Sequence, residues 1–154
     1  MKVFIKIIQR IFAILLLSFF LYFITSVIVG HIVRDDIEFN GRISVGKYIL
    51  HRHWAKGQTN YLSFNINNVR YKGINSGKEP PQRFSKNIGK FYKIRYSEKF
   101  KGSMEAFFDE QVTDSTEILK AGFTMKDILS NENDTINIRE GSFKEEVLTI
   151  LGIN

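Results

Sequence analysis

The chain has 154 residues, with 22 Lys and Arg against 16 Asp and Glu, a net charge of +6 and no cysteine. The absence of cysteine excludes disulfide bonds, thiolate metal sites, cysteine nucleophiles and a lipid-modified cysteine anchor. Residues 34–154, which number 121, are enough for one domain with a modest hydrophobic core.

An apolar stretch, residues 11–29, contains no charge, proline or glycine. A helix needs roughly 20 apolar residues to cross the hydrocarbon core of a bilayer, which is about 30 Å thick. A cleaved signal peptide has a shorter apolar region, of about 7–15 residues, and small residues after it, whereas residues 27–29 are Val-Ile-Val. A buried core helix of this length would show a polar face. We therefore predict that residues 1–33 form an anchor whose single, uncleaved transmembrane helix contacts the lipid bilayer through residues 11–29.

The orientation of this signal-anchor depends on the cations at its two ends. Three precede it, namely Lys2, Lys6 and Arg10, and three follow it within about twenty residues, namely Arg34, Arg42 and Lys47. The two counts are equal, so the closer spacing of the first three cations decides the predicted orientation. We predict a single-pass membrane protein with a cytoplasmic N-terminus and its C-terminal domain outside the cytoplasm, in the periplasm.

Charge divides the rest of the chain. Residues 42–101 hold fourteen Lys and Arg against Glu79 and Glu98, whereas residues 102–154 hold four Lys and Arg against eleven acids. Two interpretations follow. Either the acidic segment packs on the basic one, which we favour, or the basic segment contacts an anionic surface such as lipid headgroups.

Residues 34–42 are polar and contain Gly41, so they are interpreted as a tether. Five short segments with alternating apolar residues follow, at 43–54, 61–66, 69–73, 91–96 and 104–108. They predict a small β domain over residues 43–110, and an acidic C-terminal segment completes the chain at 111–154. The predicted fold is mainly β: a transmembrane helix, a small five-stranded barrel or curved antiparallel sheet, and short C-terminal helices.

The alternation assigns faces to the strands. Asn67-Asn68 suits the positive φ of a tight hairpin turn. The predicted core comprises Leu62, Phe64, Tyr71, Tyr92, Ile94 and Tyr96, and the predicted outward residues include Arg70, Lys72, Lys93 and Arg95. In the first strand one face should carry Tyr48, Leu50 and Trp54, and the other Lys47, Ile49, His51 and His53.

Helical patterns replace the alternation near the C-terminus. Short helices are predicted at 115–121, from Thr124 to Leu129 and from Ser142 onward, with a polar loop at 131–139. Gly122 can end the first helix with a positive φ. Asp127, three residues after Thr124, and Glu145, three after Ser142, suit helix starts.

The order of these motifs resembles a known group of proteins. Gly46-Lys47-Tyr48 is followed by a hairpin that ends in Tyr71-Lys72-Gly73, and then by Gly89 to Ser97, with Tyr92, Ile94 and Tyr96 alternating. Over residues 44–110 and the span, the chain resembles small single-span bacterial membrane proteins of unknown function with a short β domain. It departs from them where Glu98 and Lys99 replace an Asn-Pro pair. The resemblance implies a fold and carries over no activity and no site residues.

Three patterns that could carry chemistry have weak support. His51 and His53 share a strand face but lack a third ligand at a suitable spacing. The phosphate-loop-like residues 73–78 have Glu79 where Ser or Thr is needed and lead into prolines. Four acids could face a calcium ion but do not follow its alternating loop pattern: Asp109, Glu110, Asp114 and Glu117. We predict no enzyme activity and no catalytic, cofactor-binding or metal-binding residues.

Two functions remain open. The favoured one is a membrane-anchored binding or structural module of the cell envelope, whose basic residues 42–101 contact an envelope protein or an anionic surface. The alternative is a cytoplasmic, basic β-barrel that binds nucleic acid. In the alternative, bases would stack on six aromatic residues that alternate with cations: Tyr48, Trp54, Tyr61, Tyr71, Tyr92 and Tyr96.

Overall fold

A computed structural model of the chain describes residues 2–54, 57–75, 84–130, 139–140 and 143–153. It divides into two compact units, Met1–Ile32 and Val33–Asn154. The first unit consists of helix α1, which spans Lys2–Asn40 and so continues into the second unit. α1 is the one helix among the described residues that is long and apolar enough to cross a membrane. The most apolar stretch of this helix is fully exposed.

Hydroxyl groups inside the apolar part of α1 are bonded within the helix. Ser18 Oγ donates to Leu15 O at 2.8 Å, and Thr25 Oγ1 donates to Leu21 O at 2.8 Å. Such bonds to the preceding turn satisfy a hydroxyl without a partner outside the helix. These polar residues are therefore compatible with the predicted span.

The predicted tether is helical as far as Asn40, which differs from the loop expected from its polarity. Val33 and Ile37 lie one helical turn apart and are both buried in the second unit. Ser97 Oγ donates a hydrogen bond to Asp36 Oδ2 between them. Burial of this one face stabilises the helix. The polar residues of this segment can therefore lie on the other faces of a helix, and they do not require a loop.

Within the described part of the chain, the sheet is built from five main strands and one short one. They are β1 (Arg42–Trp54), β2 (Gly57–Ile66), β3 (Val69–Asn75), β4 (Phe91–Tyr96), β5 (Ser103–Val112) and β6 (Arg139–Glu140). A short 3-10 helix at Phe84–Asn87 lies between β3 and β4. The predicted five-stranded β domain is confirmed, although β1, β2, β3 and β5 extend beyond their predicted bounds.

The strands follow the order β2-β1-β4-β5-β3, and β3 also pairs with β2. Among the described residues, β3 and β5 pair in parallel at Ile74 with Ser103 and at Asn75 with Met104. The sheet is therefore mixed rather than purely antiparallel, and the additional β2–β3 pairing curves it, with its strands in a Greek-key order. The hairpin turn is confirmed, since Asn67 and Asn68 have φ values of 50° and 62°.

Two hydrophobic clusters lie on opposite faces of the sheet. The inner cluster contains all six predicted core residues together with Tyr48, Ile66, Met104 and Ala106. The second cluster contains Val45, Phe91, Val112, Ile118 and Phe123. It forms because the helices that follow β5 cover part of the outer face.

The helices after β5 are α2 (Ser115–Lys120), α3 (Met125–Leu129) and α4 (Phe143–Ile150). The positive φ of Gly122 after α2 is confirmed, at 84°. Thr124 and Asp127 form a reciprocal capping box at the start of α3. The predicted start at Ser142 and the polar loop at 131–138 lie outside the described residues, and the loop's last position, Arg139, is in β6.

Candidate binding surface

The outer face of β1, β2 and β3 carries rows of side chains set by the strand register. One row joins Lys47, Ser63 and Lys72, and the next joins Leu50, Tyr61 and Ile74. A β-bulge between Tyr48 and Leu50 shifts the alternation of β1 by one residue. The predicted faces of β1 are therefore wrong beyond Tyr48: Leu50 lies in the outer row, and His51 lies on the side of Tyr48.

One half of this face is covered by α3. Lys47, predicted to face outward, is buried, and its Nζ donates to Asp127 O at 2.8 Å and to Ser130 O at 2.7 Å. A cation near the C-terminal carbonyls of a helix is favourable because those carbonyls carry partial negative charge. Lys47 therefore holds α3 against the sheet.

Arg70 reinforces this contact from β3. Its Nη1 and Nη2 donate to the two carboxylate oxygens of Asp127 at 2.6 and 2.9 Å, and its guanidinium lies 4.8 Å from the Phe123 ring centre. Burial raises the pKa of Asp127, but hydrogen bonds from Arg70 and Thr124 outweigh burial and lower it to about 2. The favoured interpretation, in which the acidic segment packs on the basic one, is thus confirmed for this pair.

The other half of the outer face carries two cations beside an aromatic ring. Arg52 is exposed, and its guanidinium lies 5.6 Å from the centre of the Tyr61 ring. Lys72 Nζ lies 4.7 Å from the same ring centre, and both Lys72 and Tyr61 are half-buried. We call Arg52, Tyr61 and Lys72 the basic surface. Both cations therefore lie within cation–π distance of one aromatic ring.

The structure places the six aromatic residues of the nucleic-acid hypothesis in different environments. Four of them belong to the inner core: Tyr48, Tyr71, Tyr92 and Tyr96. Burial raises the pKa values of Tyr48 and Tyr92 to about 12. Tyr61 belongs to the basic surface, and the side chain of Trp54 lies outside the described part. Four of the six rings are therefore core residues and are not exposed for stacking with bases.

His51 takes part in a polar cluster at the edge of the core. Asn60 Oδ1 accepts from Tyr48 Oη at 2.7 Å and lies 2.8 Å from His51 Nδ1. The bulge brings His51 and Tyr48 to one side, and this explains how both can reach Asn60. The side chain of His53 lies outside the described part. Within the residues that are described, no three His, Cys, Asp or Glu side chains are grouped as metal ligands.

Three of the four acids considered for calcium, Glu110, Asp114 and Glu117, line an open groove together with Lys93. Asp114 Oδ1 accepts from Thr116 N at 2.8 Å and so caps α2. Glu110 pairs with Lys93 at 3.0 Å, and this hydrogen bond raises the pKa of Lys93. Two of the predicted acids thus have structural partners. Asp109 is exposed and does not line the groove.

Two contacts of this face were not predicted from the sequence: the buried position of Lys47 and the pairing of Arg70 with Asp127. The sequence signal that could have pointed to the Arg70–Asp127 pair was the capping box, because it located Asp127 at a helix start. Searches of protein-family models, curated proteins and solved structures find no match for this chain. The function therefore has to be inferred from the geometry.

Proposed function

We propose that the protein is a single-pass membrane protein whose β domain is a binding or structural module of the cell envelope, with the basic surface as its contact to an anionic partner. One observation carries the proposal. An apolar helix of spanning length precedes a β domain that carries Arg52 and Lys72 beside Tyr61 on its outer β1–β3 face.

The membrane part of the proposal is supported by the length of α1 and by its internally bonded hydroxyls. The crowded Lys2, Lys6 and Arg10 support a cytoplasmic N-terminus, which places the β domain outside the cytoplasm.

The binding part is supported by the fold and by charge. Some partly open five-stranded Greek-key barrels bind oligonucleotides or oligosaccharides on the face of strands 2 and 3. Tyr61 and Lys72 occupy that face here, on β2 and β3. Arg52 adds a second cation from β1. α3 covers Lys47, which donates to its backbone carbonyls, and Arg70, which pairs with the Asp127 carboxylate.

The orientation is tested with a membrane-impermeant lysine reagent on intact spheroplasts. The reagent should modify exposed lysines of the β domain, such as Lys90, before lysis. Modification only after lysis would reverse the orientation and favour the nucleic-acid alternative, since nucleic acid is met in the cytoplasm.

The binding surface is tested by capture from detergent-solubilised membranes with the full chain as bait. Arg52→Glu combined with Lys72→Glu should lose a specifically captured partner. The matched control, Lys86→Glu with Lys90→Glu, removes the same charge from exposed positions outside the surface and should retain the partner. Equal capture by both double variants would refute the basic surface as the contact.

A further inference from the structure

Residues 114–130, which contain α2 and α3, lie against the outer face of the sheet, and we call them the lid. α2 has six residues and α3 has five. Isolated helices shorter than about 12–15 residues are marginal in water, so both helices depend on their contacts with the sheet. The side chains that the lid buries are Ile118, Phe123 and Asp127. The lid is therefore the part of the β domain that should open most easily.

The apolar contacts of the lid are separate from the inner core. The Phe123 ring meets the Phe91 ring edge to face, with centres 5.0 Å apart and planes at 82°. Both rings belong to the second hydrophobic cluster, whereas the inner cluster is formed by other residues. Lifting the lid would therefore break the second cluster and leave the inner cluster, which holds the strands together, in place.

The polar contacts of the lid show what the covered half of the face can bind. Arg70 Nη1 and Nη2 donate to the two carboxylate oxygens of Asp127 at 2.6 and 2.9 Å. Two such parallel bonds are the geometry by which arginine recognises a carboxylate. Lys47 adds a second cation, which donates to backbone carbonyls of the lid. The sheet thus carries a carboxylate-binding site, and the lid fills it with an acid of its own.

This covered site continues into the basic surface. Arg70 and Lys72 are two residues apart on β3, so their side chains leave the same face of the sheet. Lys47 and Lys72 lie in one row across the strands, on either side of Ser63. The cations under the lid and those of the basic surface are therefore two parts of one face.

We propose that the lid is autoinhibitory: it opens while the strands stay folded, and Asp127 then yields its place on Arg70 to a carboxylate of the anionic partner. This inference rests on the proposed function of the basic surface, which it extends by the cations under the lid. The apparent affinity for the partner is then reduced in proportion to the fraction of molecules whose lid is open.

The first test measures hydrogen–deuterium exchange of the full chain in detergent micelles by mass spectrometry. Lid amides such as Ile118 N and Ile128 N, which bond to carbonyls within the lid, should exchange faster than those of β4. Phe123→Ala should accelerate lid exchange several-fold and leave β4 unchanged. The control is Leu129→Ala, which truncates an exposed side chain of the same lid and should change neither. Exchange of the lid and β4 at one common rate would overturn the inference.

The second test measures binding of poly-L-glutamate, a flexible polymer of carboxylates, to the same proteins. Where the lid recloses faster than its amides exchange, the exchange rate is proportional to the open fraction. Phe123→Ala should therefore tighten binding by the same factor as it accelerates lid exchange. Adding Arg70→Gln should cancel the gain, because the carboxylate site is then lost. Faster lid exchange with unchanged affinity would overturn the inference.

The third test compares two acids of the lid that differ in what they contact. Asp127→Asn removes the carboxylate on Arg70, whereas Asp114→Asn removes the same charge from the exposed cap of α2. The first change should tighten poly-L-glutamate binding several-fold, and the second should leave it unchanged. Equal effects would show that net charge governs binding, and would overturn the inference.

The same assay separates failure of the lid from failure of the basic surface. Arg52→Glu with Lys72→Glu should weaken poly-L-glutamate binding by every form of the lid. If this double variant weakens binding while Asp127→Asn and Phe123→Ala change nothing, the lid inference is overturned and the basic surface stands. If the double variant binds as tightly as the wild type, the basic surface is overturned, and the inference with it.

Discussion

Asp127 shows how one side chain can connect two elements. Its carboxylate accepts from Thr124 N at 2.7 Å, which closes the capping box of α3, and from both terminal nitrogens of Arg70 on β3. The side chain is buried, so these donors compensate its charge where water cannot. Breaking a buried pair by removing one partner typically costs about 3–5 kcal/mol.

The pKa of Asp127 leads to a prediction on pH dependence. Because its pKa is lowered from 3.8 to about 2 in the folded state, its contribution is complete above pH 3.8 and is lost as the pH falls towards 2. This linkage amounts to about 2 kcal/mol. Chemical denaturation between pH 5 and about 2 should show this loss in the wild type and a shallower slope in Asp127→Asn. Equal slopes for both proteins would contradict the assignment.

The inner and outer positions of β4 predict opposite responses to truncation. Ile94 is fully buried, whereas Arg95 is partly exposed and lies 4.0 Å from Glu105. Ile94→Ala should cost about 2–5 kcal/mol through lost burial and a residual cavity, and Tyr96→Ala should also be strongly destabilising. Arg95→Ala should cost about 1 kcal/mol or less, as expected for a surface pair. Thermal unfolding followed by near-UV circular dichroism checks the ranking, which a reversed order would refute.

At the scale of elements, the alternation of apolar residues predicted the inward and outward faces correctly where no bulge interrupts the strand. β4 matched its predicted bounds and faces because no bulge interrupts its pairing with β1. β1 did not, since the bulge after Tyr48 inserts one residue and reverses every later position. Burial of Lys47 was also unpredictable, because it depends on α3, which lies eighty residues further along the chain.

The close approach of strands at Gly73 leads to a further prediction. A Cβ atom placed there would lie 2.7 Å from Met104 Cγ, 2.7 Å from Phe64 Cε1 and 2.9 Å from Gly102 O. Gly73→Ala should therefore destabilise the fold by about 1–3 kcal/mol through overpacking. Gly30→Ala is the control, since nothing lies within 4 Å of its added Cβ. Denaturant midpoints of the two variants should differ clearly, and similar midpoints would argue against the close packing of β3.

At the scale of the whole molecule, composition and hydropathy predicted the broad architecture: an apolar helix, a small β domain and C-terminal helices. The parallel closure between β3 and β5 and the pairing of β6 with β3 were not predictable, since they join segments distant in sequence without a local pattern. For the same reason the basic surface is visible only in the structure. Its three residues come from three strands, and nothing in the sequence distinguishes its two cations from the many other lysines and arginines.

The proposed membrane anchor gives the prediction at this scale. The full-length chain should remain with membranes that are washed at high pH, because α1 would have to expose its whole apolar surface to leave the bilayer. Its N-terminal sequence should be intact. Recovery in the wash, or a mature N-terminus near residue 30, would show that the helix is not a retained span.

The pairing of β1 has a consequence for synthesis of the protein. β1 pairs with β2 along one edge and with β4 along the other, and β4 begins at Phe91, well after Trp54 ends β1. At a translation rate of about 5–20 residues per second, the nascent β1–β3 meander waits for seconds with unpaired outer edges. Such edges invite association with other chains. The cations of this segment repel a second nascent copy during that interval, so the same charges would serve as protection against aggregation before the fold is complete.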